Sequence, residues 1–213
     1  MKRLLLALLT LAAGSNGVYA AAPGDVVINE LMWMGSTASS ADEWIELRNT
    51  TDSEIVLSGW MLEKAATGGD TLTIPDGKVI PARGYFLIAN YAPSSEKSKL
   101  SVKPDWVTTA VSLANSKLQI VLKDAEGNVI DAADDGVGSP AAGDKDKKYS
   151  MVRNDPPGDG TLAESWYTAT EVSGWKEGAT EKGTPQNSTS GVAVEGTSWG
   201  RAKLIPSRGG TPW

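Results

Sequence analysis

The chain has 213 residues, a net charge of −6, and neither Cys nor His. The absence of thiols and imidazoles excludes disulfides, Ser-His-Asp and Cys-His catalysis, and the usual zinc, haem and iron–sulfur sites, leaving carboxylates, hydroxyls, Lys and Tyr for any chemistry. The acidic balance disfavours nucleic acid, whose affinity comes mainly from Lys and Arg neutralising phosphates.

From the start, Lys2 and Arg3 precede an apolar run over 4–13, and small residues close the segment at Ala20-Ala21-Ala22. This is the pattern of a secretory signal, cleaved after Ala20 or Ala22, and it assigns residues 1–22 to a leader. No later run approaches the roughly 18 apolar residues of a membrane helix. The expectation is a secreted, periplasmic or cell-surface protein without a membrane span.

The first strands read as residues 26–31 and 43–49. In Glu43-Trp44-Ile45-Glu46-Leu47-Arg48-Asn49, Ile45 and Leu47 fall on one face and Trp44, Glu46 and Arg48 on the other, as in a half-buried antiparallel strand. Further strand-length runs follow at 60–63, 71–74, 84–89, 106–108, 117–122 and 129–132. Turn residues separate them, including Ser58-Gly59, Pro75-Asp76-Gly77 and Asp124-Ala125-Glu126-Gly127-Asn128. About eight short strands so spaced predict an all-β, immunoglobulin-like β-sandwich. In the hairpin around 124–128, Gly127 is placed to take a left-handed conformation. Trp60 is expected in the core, and Arg48-Asn49 are expected to tie a strand end to an adjacent loop.

The order Val26-Val27-Ile28-Asn29-Glu30-Leu31, then Glu43 to Asn49, then Leu57-Ser58-Gly59-Trp60-Met61-Leu62 resembles the opening of a lamin-tail domain in its bacterial exported form. Ile80-Pro81-Ala82-Arg83-Gly84-Tyr85-Phe86, Ser112-Leu113-Ala114-Asn115 and the hairpin through Asp131 resemble that family's later strands. The resemblance spans about residues 24–134 and implies an immunoglobulin-like sandwich used as an interaction or accessory module, with no catalytic residues. With the leader pattern and the small, polar composition after 188, it gives the domain division 1–22 leader, 23–134 sandwich, 135–188 extension and 189–213 linker and tail. In the extension, 150–154 read as a polar run and 165–169 as a short strand whose Trp packs back on the sandwich, before a Gly183-Thr184-Pro185 exit. The tail segment 198–205 is a candidate sorting or docking peptide.

The leading functional expectation is a non-enzymatic adhesion or protein-interaction module, its partner a protein or a cell-surface glycan. Eight Trp against one Phe raise the alternative of a carbohydrate-binding module, in which exposed indoles stack on sugar rings. Trp33, Trp44, Trp106, Trp166 and Trp175 are the candidates for that role. Trp44 and Trp106 lead them, with Glu46 beside Trp44 as a hydrogen-bonding partner; Trp44 faces away from the core unless a second layer covers it. A third class, a hydrolase, would draw on Glu30, Glu43 and Glu46, which approach one another if the first two strands pair. No cofactor is expected. Calcium is the alternative there, through Asp134, Asp135, Asp144 and Asp146, or through Asp124, Glu126 and Asn128.

Overall fold

A computed structural model describes residues 21–186; all but the last two residues of the leader read at 1–22, and the linker and tail read at 189–213, lie outside them. Twelve strands succeed one another: β1 (Val26–Met32), β2 (Trp44–Asn49), β3 (Ile55–Val56), β4 (Met61–Glu63), β5 (Leu72–Thr73), β6 (Val79–Ile80), β7 (Tyr85–Ala89), β8 (Trp106–Val107), β9 (Ile120–Lys123), β10 (Val129–Ala133), β11 (Met151–Arg153) and β12 (Trp166–Thr168). Two single 3₁₀ turns, Thr67–Gly69 and Ala163–Ser165, are the helical elements among the described residues, and no helix there is long and apolar enough to cross a membrane.

The strands form a six-stranded sheet in the order β12-β11-β1-β2-β7-β8, a four-stranded sheet β10-β9-β4-β5, and a small β3-β6 ribbon. Pairing is antiparallel throughout except for β7 with β8. The alternation read in the sequence explains the core. Ile45 and Leu47 lie opposite Leu31 and Ile28 on one side and Ile88 and Phe86 on the other, so all six side chains share one face. That face meets Leu62, Leu72, Ile120, Leu122 and Ile130 of the second sheet in one buried cluster, with Trp60 inside it as expected. This is the immunoglobulin-like sandwich that the sequence predicts.

Local chemistry holds the strand ends. Asn49 donates from Nδ2 to the carbonyls of Ser53 (2.7 Å) and Pro81 (2.9 Å) and accepts the Thr51 N–H (2.8 Å), which is the strand-to-loop tie expected of it. In the β9–β10 hairpin Gly127 takes φ +88°, and the Asp124 carboxylate accepts the Glu126 and Asn128 N–H groups. The strand expected over 117–122 begins only at Ile120, because Lys117 adopts φ +53° and donates its N–H to Gly138.

The extension is more than an attachment. β11 pairs with β1, so the segment read as a polar run supplies a strand of the main sheet. It reads as polar because Arg153, fully buried, ends it. A bulge between Ile28 and Glu30 breaks the β1–β2 ladder, and the buried pair Arg153–Asp131 takes up the backbone groups there. Asp131 accepts the Ile28 N–H (2.8 Å), while the guanidinium donates to Asp131, to the carbonyls of Ile28 and Ala132, and to that of Gly158 (2.6 Å). The Trp166 ring lies under it at 4.8 Å. Gly160 has no room for a Cβ, which would collide with Arg153 and the Ala132 carbonyl.

Candidate functional site

The outer face of the main sheet carries the residues on which function was expected to rest. Register places Met32, Trp44 and Ala89 in one row, Glu30, Glu46 and Leu87 in the next, and Val27, Arg48 and Tyr85 in the last. Residues 175–186 lie over this face, with Trp175 against Trp44, Thr184 on Glu30 and Gln186 on Glu46, and close the first two rows.

Trp44 is fully buried there, its ring 6.1 Å from that of Trp175 and inclined at 53°. Trp175 is fixed in turn by its Nε1–H, donated to the Gly183 carbonyl at 3.0 Å. The second layer that would cover Trp44 exists, and a sugar ring cannot reach its face. Trp33 and Trp166 are also buried, with Nε1–H donated to Ala142 and Gly160. Trp106, on β8, is half-buried. Exposed coplanar indoles, the basis of the carbohydrate alternative, are therefore missing among Trp33, Trp44, Trp106, Trp166 and Trp175.

Glu46 is likewise inaccessible and serves as an internal anchor. It accepts Asn29 Nδ2–H (2.8 Å) on one oxygen and the Gln186 N–H on the other. Glu30, directly opposite it in register, accepts Ser150 Oγ–H (2.5 Å), the Thr184 N–H (2.9 Å) and Thr184 Oγ1–H (3.0 Å). Two carboxylates thus pin the strap 183–186 to the sheet. Burial raises both pKa values, and the mutual repulsion of the pair raises that of Glu46 further, well above the ordinary carboxylate range.

Strand pairing does bring Glu30 and Glu46 together, but not Glu43. One residue before Trp44, it falls on the opposite face and accepts the Leu113 N–H at 3.0 Å; burial lifts its pKa to about 7. The expected gathering of three acids is corrected to one pair and one separate group, each engaged in holding the chain.

The loop aspartates are engaged in the same way. Asp134 accepts the N–H groups of Asp135 and Ala141, and Asp144 those of Asp146 and Lys147. Asp135 accepts from Val137. Among the described residues no three acidic side chains converge as a metal site.

Gly183 is the tightest point of the strap, with φ +152° and a Cβ position only 2.6 Å from Glu30 Oε1 and 2.8 Å from Ser150 Oγ. Gly183→Ala is expected to cost about 1–3 kcal/mol. Hydrogen exchange should show the loss confined first to the Thr184 amide and the Trp175 Nε1–H; unchanged protection at both would show that the strap is not held this way.

What the strap leaves open is the last row. There Arg48 and Tyr85 border a groove of about 300 Å³, closed on its far side by Asp155, Pro156 and Pro157. The sequence places Arg48 and Tyr85 on strands but gives neither a binding role, and Asp155 lies 107 residues from Arg48.

Two packed sheets of short antiparallel strands around one core, joined by irregular connections, define an immunoglobulin-like β-sandwich. The chain belongs to the lamin tail domain family, whose pattern it matches over residues 19–136. That match stops before β11 and β12, so the main sheet is completed by strands beyond the family's boundary. Among curated proteins none matches the chain significantly.

Proposed function

We propose that this lamin tail domain protein is a non-catalytic adhesion or interaction module acting at the cell surface or in the periplasm, where it holds a protein or glycan partner. The observation that supports the reading is the fate of the candidate acids. A general acid or base must reach its substrate within hydrogen-bonding distance. Glu30 and Glu46 are instead fully buried and spend their oxygens on backbone and side-chain donors of the fold, and Glu43, also buried, holds the Leu113 N–H. The leader pattern at 1–22 supports export, and the charge of −6 supports a partner other than nucleic acid. In this reading residues 23–188 act as one folded unit and 189–213 as a linker and tail.

The test is retention of purified cell-envelope protein and glycan fractions on the immobilised full chain, with the bound material analysed for cleavage. Saturable retention of intact material is expected. Turnover of any polysaccharide or peptide that disappears in Glu43→Gln or Glu46→Gln would overturn the non-catalytic reading.

A further inference from the structure

The groove at the open end of the outer face has the chemistry of a sugar site, and we infer that it binds a single neutral sugar ring of a glycan. The inference rests on the binding-module reading and names its ligand class.

Arg48 and Tyr85 are cross-strand neighbours on β2 and β7, so they project side by side. The Arg48 side chain is only 12% exposed, yet its donors are poorly used. Its Nη2 lies 3.4 Å from Asp155 Oδ1, well beyond the roughly 2.7–2.9 Å of a charge-assisted hydrogen bond, and its buried Nε finds no acceptor among the described residues. The long ion pair leaves the Nη groups with donor capacity that a ligand oxygen in the groove would take up, and that would settle the guanidinium as a whole. Beside it the Asp155 carboxylate, 43% exposed, offers acceptor capacity to the same space. Arg83, also on the groove, stands mostly in solvent and is paired with Asp52 at 2.8 Å.

The side-by-side donor and acceptor decide the ligand class. A carboxylate or phosphate would satisfy Arg48 but lie against the Asp155 charge. An aliphatic side chain would satisfy neither group. A hydroxyl accepts from the guanidinium and donates to the carboxylate at once, so a vicinal diol answers both. Tyr85, Pro156 and Pro157 supply the apolar surface that the C–H face of a sugar ring covers, and the groove's 300 Å³ lies at the small end of ligand sites, suiting one ring. The Trp-based alternative is thereby replaced by a Tyr85-based site on the same sheet face, two residues along β2 from the anchored Glu46.

The experiment is a titration of the full chain, ¹⁵N-labelled, with the methyl glycosides of glucose, galactose and mannose and with glucuronate. Trp fluorescence is the wrong readout, since no Trp among the described residues borders the groove. Saturable shifts of the Tyr85 and Thr50 amides and of the Arg48 Nε–H with at least one neutral glycoside are expected, the sugar being recovered unchanged. Tyr85→Leu and Asp155→Asn should each weaken this binding about tenfold while leaving the thermal midpoint unaltered. Binding of glucuronate alone, tightened by Asp155→Asn, would overturn the neutral-sugar site in favour of an anion site. Absence of saturable shifts at the groove would overturn the inference and leave a protein partner for the binding module. Conversion of a glycoside would instead overturn the binding-module reading itself.

Discussion

Arg153→Ala is expected to destabilise the fold by about 3–5 kcal/mol, the usual cost of removing one partner of a buried ion pair. The side chain is 1% exposed and Asp131 10%, so the remaining carboxylate cannot turn to bulk solvent without opening the sheet interface. Burial already pushes the Asp131 carboxyl above its ordinary pKa even with Arg153 beside it. The structure makes a sharper claim than ion-pair loss, however. In many proteins, replacing both members of a buried pair by apolar residues is neutral or stabilising. Here the pair also satisfies the backbone of the β1 bulge and of the 158 turn, so the double variant D131L/R153M leaves the Ile28 N–H and the Gly158 carbonyl without partners. Denaturant titration should find the double variant at least as unstable as Arg153→Ala. Recovery to the parent midpoint would mean that the backbone groups find other partners and that the pair is dispensable.

This hub also shows where the sequence stops being legible. β2 can be located from its clean alternation and β1 and β7 from their strand-length apolar runs, as can the β9–β10 hairpin with Gly127 at its left-handed position. β3 and β6 are two residues each, too short for any period to register. β11 is concealed for a different reason: Arg153 looks like a surface residue, and only Asp131, 22 positions earlier, makes it a core one. Alternation assigns Trp44 and Glu46 to the correct face of β2, but it carries no information on whether a second layer lies over that face. The cover comes from residues 175–186, more than 130 positions away, and the one local hint was a Trp standing among charged residues on a nominally polar face. The Arg48 groove was hidden likewise, since its walls come from β2, β7 and the 155–157 turn, and only folding joins them.

The same hidden layer gives the protein an unusual dependence on pH, with stability greatest in mild acid and declining through neutrality. Glu30, Glu43 and Glu46 all have folded-state pKa values raised by burial above the model-peptide value of 4.5. A carboxyl raised in this way contributes stability that is complete below its unfolded pKa and is lost as pH rises through its folded one. Asp42, Asp131 and Asp134 are raised as well and act in the same direction. Glu181 and Asp124 are buried acids that act oppositely, the first held down by bonds from Thr37 and Thr180 and the second by bonds from Asn128 and Glu126. For Glu43, the move from 4.5 to about 7 corresponds to about 3 kcal/mol between pH 4 and pH 9. Glu43→Gln keeps an acceptor for the Leu113 N–H without the charge. It should therefore match the parent near pH 4 and exceed it by up to about 3 kcal/mol at pH 9. For the coupled pair, Glu46→Gln should flatten the alkaline decline further, because Glu30 then ionises without a like charge opposite. Denaturant midpoints measured from pH 4 to pH 9 on the parent and both variants decide the matter. A parent whose stability is level or rises over that range would show that water reaches these carboxylates in the folded state. The strap over the outer face would then be open for part of the time, with Trp44 and Glu46 accessible beneath it.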